Sequence, residues 1–306
     1  MPYINYFLVG PIGLGLRKLV QREIPISDQE AFGCMNNALL HGSNLWDAGE
    51  VFSSSLSSGT LGLLSRYFRK YPENIERVFL TVTVGKIEDS DTEAFLNSLK
   101  EITSALRGLK KIDLLNCQVV EDAPMTEEFI KIMNDFVNKG VVRCIGLWEP
   151  SLEVIQRVRD IANISAVRVE YSLLSRDIEV NGIKALCHNL GIPIIATAPL
   201  LHGILTGDSK IMEELKNKEK HILSNNEDRE AVRMILSKVS SLDSFAIRND
   251  MTLTEVALSF ILGTGKAGII PIPCSDTLDY VGENLGAFSK VLSFEQLDEL
   301  YDIVQQ

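Results

Sequence analysis

The chain has 306 residues, 45% of them hydrophobic. That is enough apolar material for one large α/β domain or two modest ones, and it excludes a disordered chain. A net charge of −11 excludes a polyanion-binding surface and makes nucleic acid an unexpected partner, because neutralising phosphates takes clusters of Lys and Arg that the sequence lacks. The N-terminal MPYINYFLVGPIGLG lacks the charged start and long apolar core of a signal peptide, and no window approaches the ~18 apolar residues of a membrane span. The expected location is the cytoplasm, with the nucleus as an alternative.

In chain order, an apolar run at 8–14 reads as a first strand, followed by a predicted helix over 28–40. Ser27 with Glu30 has the spacing of a capping box there. NLWD (44–47) is a second strand. Helix 61–70, strand VFLTVTV (78–84), helix 92–106, strand IDLLNCQ (112–118) and helix 126–138 follow. Gly140 comes just after that helix, where a left-handed residue ends one at little cost. Next come strand VRCIGLW (142–148), a helix over 152–161 with Ser151 as N-cap, strand AVRVEYS (166–172), helix 182–190 ended by Gly191, and strand PIIATAP (193–199). A charged, partly helical insertion spans 207–250. It reads either as a lid over a site or as a solvated helical excursion. Helix 252–262, strand GIIPIPC (268–274) and helix 277–287 complete the series, and a final helix closes the chain.

Continuous apolar strands are buried on both faces, and their regular alternation with helices implies right-handed crossovers in a parallel sheet. Eight such units suit a closed (β/α)8 barrel in a single domain over 1–306 better than the rival doubly wound sheet. Gly13-Leu14-Gly15 is too short for the dinucleotide fingerprint, because no third glycine opens a helix; Leu16-Arg17-Lys18 follows instead. The cysteines Cys34, Cys117, Cys144, Cys187 and Cys274 form no CxxC pair and have no histidines at ligand spacing. They read as buried apolar residues in a reducing compartment, with no metal expected. Cys274, at a strand end, is the exception in position.

The stretches WDAGEVF, VFLTVTVG, CIGLWEPS, VRVEYSLLSRDIE, GIPIIATAPLLHGILTG and IIPIPCS with GENLGA, in this order and spacing, resemble the aldo-keto reductases. NLWDAGE, RYFRKYPEN, EYSLLSRDIE and GIIPIP look most like the yeast-type pyridoxal reductases. The resemblance covers nearly the whole chain. It implies an NADPH-dependent barrel reductase that transfers a hydride to a small carbonyl substrate such as pyridoxal at the C-terminal mouth. Hydride attack leaves an alkoxide, so the chemistry needs a proton donor beside the carbonyl oxygen. In the family a Tyr is that donor, a Lys lowers its pKa, an Asp pairs with the Lys, and a His helps place the carbonyl.

By this resemblance the Asp is Asp47, but the Tyr falls at Phe52, the Lys at Thr83 and the His at Gln118. Gln118 can still donate a hydrogen bond, and Phe52 cannot. Because general acid catalysis is typically worth ~10²–10⁴ in rate, impaired turnover is expected. Lys86 is a poor substitute for the lysine, since strand alternation puts 83 and 86 on opposite faces. If Arg168 faces inward, it can pair with Asp47, but arginine hardly deprotonates and supplies no useful proton.

The cofactor positions implied by the resemblance are eroded as well. The pair that holds the carboxamide reads Trp148-Glu149, and the ring that stacks on nicotinamide reads Thr197. Arg168 stands where the family has an amide or carboxylate near the nicotinamide. The 2′-phosphate Arg aligns with Tyr280, and the Lys or Gly of the preceding turn with Cys274. Ser275, Glu283 and Asn284 match, although Glu283 and Asn284 also suit a purely structural helix end. Gly15 lies at the cofactor edge of the first strand. Leu200, His202 and Gly203 occupy the pyrophosphate loop, where His202 is either an anion contact or a turn residue. Two functions therefore stand: a pyridoxal-reductase-type enzyme of impaired activity, or an inactive barrel that binds a ligand or a protein partner.

Overall fold

The computed structural model describes residues 1–21, 26–51, 59–84, 92–106, 108–118, 125–221, 226–265 and 268–305. A short antiparallel hairpin, β1 (Tyr3–Ile4) and β2 (Phe7–Leu8), precedes a sheet of eight parallel strands. These lie side by side in chain order: β3 (Leu14–Gly15), β4 (Leu45–Val51), β5 (Phe79–Val84), β6 (Ile112–Gln118), β7 (Val142–Trp148), β8 (Ile164–Glu170), β9 (Ile194–Thr197) and β10 (Ile269–Pro271). The sheet curls until its edges meet. Gly13 N donates to the Pro271 carbonyl at 2.9 Å, Gly15 N donates to Pro273 at 2.9 Å, and Gly15 bridges Cys274 in parallel. The expected (β/α)8 barrel is therefore the observed fold.

Close strand packing explains the two glycines of Gly13-Leu14-Gly15, the first against β4 and the second at the closing seam. A Cβ on Gly13 would lie 2.9 Å from the Leu45 carbonyl oxygen, and one on Gly15 would lie 2.3 Å from Cys274 Sγ. Residues 8–14 do not form one strand, contrary to the sequence expectation: Leu8 ends the hairpin and Leu14 begins the barrel. Ile4 and Val9 are buried against an inner apolar layer of Leu45, Phe79, Leu114, Cys144, Ala166, Ile195 and Ile270, so the hairpin plugs the N-terminal end of the barrel. Within the run, Val9 joins that inner layer while Ile12 and Leu14 pack into the outer core, and this burial on two sides resembles that of a strand in sequence.

The helices surround the sheet: α1 (Asp28–Leu40), α2 (Thr60–Lys70), α3 (Thr92–Ala105), α4 (Met125–Asn138), α5 (Leu152–Val158), α6 (Asp177–Val180), α7 (Ile183–Leu190), α8 (Ser209–His221), α9 (Asn226–Arg248), α10 (Leu253–Thr264), α11 (Leu278–Gly286) and α12 (Phe294–Gln305). Local chemistry sets several ends. Ser27 and Thr252 each form a capping box, with Glu30 and Glu255 respectively, and Ser151 accepts from Val154 N. Gly191, at φ +67°, ends α7 in the left-handed region. The predicted helix over 152–161 stops at Val158. The insertion holds α8 and α9, and the second half of α9 contributes Val239, Leu242, Phe245 and Ala246 to the outer core. No helix among the described residues is long and apolar enough to cross a membrane.

Candidate active site at the barrel mouth

In a strand successive side chains alternate between faces, so the interior layer that begins at Leu45, Phe79, Leu114, Cys144 and Ala166 continues two and four residues later. That rule brings Asp47, Thr81, Thr83, Asn116, Gln118, Trp148 and Arg168 inside the barrel toward its C-terminal end. Above the apolar layer the lining is therefore polar, and its members bond to one another. Asn116 Nδ2 donates to Thr81 Oγ1 at 2.7 Å. A Cβ on Gly146 would lie 2.4 Å from Asn116 Oδ1, so a glycine at that point makes room for the amide.

Arg168 organises the mouth. Its Nη2 donates to Asp47 Oδ2 at 3.0 Å, its Nη1 donates to Thr83 Oγ1, and its guanidinium lies 5.9 Å from the Trp148 ring centre. The side chains of Arg168 and Asp47 are only 11% and 7% exposed, which makes this a largely buried ion pair. Asp47 Oδ1 accepts from Gly49 N at 3.1 Å, where Gly49 adopts φ +73° beside a register shift between β4 and β5. Arg168 Nε and Asn116 Oδ1 are buried without a hydrogen-bond partner among the described residues. Arg168 thus occupies both groups that the resemblance singled out at 47 and 83.

The neighbouring groups include a carboxyl and a thiol, both pushed toward their neutral forms. Glu149 sits at φ +48°, a conformation uncommon for a residue with a side chain, and its Oε1 accepts from Glu170 N at 2.7 Å. Burial of the carboxyl pushes the Glu149 pKa up, with Glu170 adding to the rise while the amide bond and Arg168 oppose it. The Cys274 thiol is raised by burial first and by the Asp47 carboxylate second, with Lys18 and Arg168 acting against both. Burial alone drives the Cys117 and Cys187 thiols up to about 12, which fits inert structural cysteines. Among the described residues no group of three or more His, Cys, Asp or Glu could hold a metal ion.

Other positions singled out from the sequence lie at strand ends, in the loop after β9 and near α11. Gln118 and Trp148 pair in register at the ends of β6 and β7, both half-buried, and Thr197 is half-buried at the end of β9. Gly15 pairs with Asp47 between β3 and β4. The loop after β9 turns through Leu201 (φ +46°), His202 (φ +54°) and Gly203 (φ +99°), with Leu200 buried and accepting from Gly203 N at 2.9 Å. Near α11 the buried pair Ser275 and Asn284 bond to each other, Asn284 Nδ2 donating to Ser275 Oγ. Tyr280 is 46% exposed in the first turn of α11, and Glu283 is half-buried one turn on. Phe52 and Lys86 lie outside the described residues.

Sequence reasoning missed Thr81 and Asn116, and the signal was available. Both are polar residues in otherwise apolar strands, in phase with the interior layer, and each is fully buried. A polar side chain in that phase needs a partner across the barrel.

A closed eight-stranded parallel barrel, with a polar cluster at the C-terminal ends of its strands, defines a TIM-barrel protein of the kind that builds its site at the mouth. The sequence profile of the aldo/keto reductase family matches residues 11–305, and the chain belongs to that family. It is 42% identical to an uncharacterised oxidoreductase of Schizosaccharomyces pombe over 100% of this chain and 93% of that one. It is 41% identical to the probable pyridoxal reductase 2 of the same organism, covering 100% of this chain and 95% of the relative. Solved structures share the fold at lower identity. The glycerol dehydrogenase of Gluconobacter oxydans superposes with a TM-score of 0.78 at 17% identity, covering 99% of this chain and 94% of the other. An aldo-keto reductase of Klebsiella pneumoniae in complex with NADPH superposes at 0.73 and 20%, covering 97% and 91%.

Proposed function

We propose that this protein is an aldo-keto reductase of the pyridoxal-reductase type with impaired turnover, descended from enzymes that reduce a small aldehyde such as pyridoxal with NADPH. Descent is supported by the full-length similarity to a probable pyridoxal reductase. Impairment is supported by one observation above the others: Arg168 holds Asp47 and Thr83 together. An arginine can orient and attract a carbonyl oxygen, but it holds its proton too firmly to release it to an alkoxide. Gln118 can place a carbonyl by donating from its amide, and it too is no acid.

NADPH, when bound, supplies the hydride. The described residues fit it poorly at both ends. Where the carboxamide would be clamped stand a Trp148 ring facing a guanidinium and the Glu149 carboxyl. Where the adenosine phosphate would be gripped, Ser275 and Asn284 satisfy each other and the side chain at 280 is an exposed tyrosine. A lost charge-assisted contact costs about 1.5–3 kcal/mol, and 1.4 kcal/mol is about tenfold in affinity, so weak binding follows from these changes together.

The second reading is an inactive barrel that holds another ligand or a protein partner, and the buried Asp47–Arg168 pair favours it. One titration separates the two. Trp46 is fully buried, whereas Trp148 faces Arg168 at the mouth, so NADPH entering the mouth changes Trp148 fluorescence against a constant background. Weak, saturable quenching with pyridoxal reduction slowed by about 10²–10⁴ supports an impaired enzyme. No quenching and no reduction support the inactive barrel. Tight binding with turnover near the ~10 s⁻¹ of ordinary enzymes overturns both.

A further inference from the structure

A second cleft lies away from the mouth, between α3, the C-terminal half of α4 and the start of β6. Its volume is about 710 Å³, within the ~300–1,000 Å³ of small-molecule sites. Leu96, Leu106, Phe136 and Val141 give it apolar walls. Every charged side chain among the described lining residues is a lysine: Lys100, Lys110, Lys111 and Lys139. In a chain of net charge −11, a concave surface with four ammonium groups and no described carboxylate is a local reversal of sign.

The internal pairing leaves that surplus in place. Lys110, 2% exposed, bonds to Asp113 at 2.7 Å, but Asp113 also binds Arg143 at 2.8 Å, so a single carboxylate answers two cations. Lys100, Lys111 and Lys139 are exposed. The ends of α3 and α4 each carry about half a negative charge from their macrodipoles, which does not neutralise three exposed ammonium groups. Lys111 and Val141 immediately precede β6 and β7, so the cleft opens at the N-terminal end of the barrel, opposite the mouth.

We propose that this cleft is a binding site for a small organic anion in which a flat apolar body carries a phosphate, sulfonate or carboxylate group. The walls around Phe136 and Leu106 receive the apolar body, and the lysine rim takes the anionic group. Apolar walls set beside a few charged groups are the composition of a small-molecule site, and lysine serves as a point charge for such anions. The site is independent of the chemistry at the mouth.

The test uses the full chain and 8-anilinonaphthalene-1-sulfonate, an aromatic sulfonate whose fluorescence rises when it leaves water, beside its uncharged analogue N-phenyl-1-naphthylamine. The expected result is saturable one-site binding of the sulfonate that weakens with salt and exceeds that of the neutral analogue by about tenfold or more. Lys111→Ala with Lys139→Ala should weaken it at least about tenfold, while Lys111→Arg with Lys139→Arg keeps it within about threefold. Both positions are exposed, and thermal melting of each variant confirms that it is folded. Equal affinity for the neutral analogue, or unchanged affinity in the alanine pair, overturns the proposal.

Discussion

Arg168 and Asp47, 121 residues apart in the chain, meet across the barrel mouth at 3.0 Å and are both largely buried. Removing one member of such a pair strands the other's charge, whereas replacing both with apolar groups is often neutral or stabilising. Asp47→Ala is therefore expected to cost about 3–5 kcal/mol in urea unfolding. Asp47→Leu with Arg168→Met should stay within about 1 kcal/mol of the parent. Losses that simply add in a double-mutant cycle would show that the pair is not coupled.

Thr83→Lys places an ammonium where Arg168 Nη1 now donates to the threonine hydroxyl. Two cations then compete for the Asp47 carboxylate, and the variant is expected to lose roughly 2 kcal/mol or more. Adding Arg168→Gln should recover at least half of that loss, because the lysine can then take Asp47 alone. Arg168, more than Thr83, is thus the residue that bars a lysine from the mouth. Equal melting temperatures for the single and double variants would contradict this.

At the barrel seam, Gly15→Ala drives a methyl group to 2.3 Å from Cys274 Sγ. Overpacking of this kind costs about 1–3 kcal/mol. Cys274→Ala removes the obstructing sulfur, so the double variant should be more stable than Gly15→Ala alone. The remaining contacts, 3.3 Å to the Pro273 carbonyl oxygen and 3.4 Å to the Cα of residue 274, are ones that a small shift absorbs. Chemical denaturation of the four proteins reads the cycle directly.

Glu179 is the acceptor of a network on the outside of the barrel, receiving Tyr171 OH at 2.6 Å, Lys184 Nζ at 2.9 Å and Tyr301 OH at 3.1 Å. Burial opposes its ionisation, but the bonds from Tyr171 and Lys184 prevail and hold its carboxyl below the ordinary 4.5. The native state therefore binds the proton less readily than the unfolded chain. The stability this contributes is present above pH 4.5 and is lost as pH falls through the lowered value. Glu179→Gln should cost about 1.5–3 kcal/mol at pH 7, with the difference shrinking as the pH falls through that lowered value. A gap of constant size from pH 7 to pH 3 would mean that ionisation plays no part.

Much of the fold was legible because burial writes itself into sequence with the period of each element. β5 is buried at all six positions, and four of its six residues are apolar, so it reads as a buried strand. Ser27, Ser151 and Thr252 mark helix starts because an orphan backbone N–H needs an acceptor within a few residues. The hairpin was illegible for the same reason that β5 was plain. Within 8–14, Val9 packs into the inner layer whereas Ile12 and Leu14 pack into the outer core, and a local pattern records that a residue is buried without recording what covers it.

The sequence by itself determined the alternation of strands and helices, the family resemblance, and the absence of a tyrosine and a lysine from positions 52 and 83. Each of these depends on residue identity and short-range spacing. Only the tertiary structure decided what became of the Asp47 carboxylate. Its partner lies four strands away on β8, and curling the sheet into a barrel brings Arg168, Thr83 and Asp47 within hydrogen-bond reach across the interior. A long-range ion pair depends on how strands close in space, and no local pattern in the chain encodes that closure.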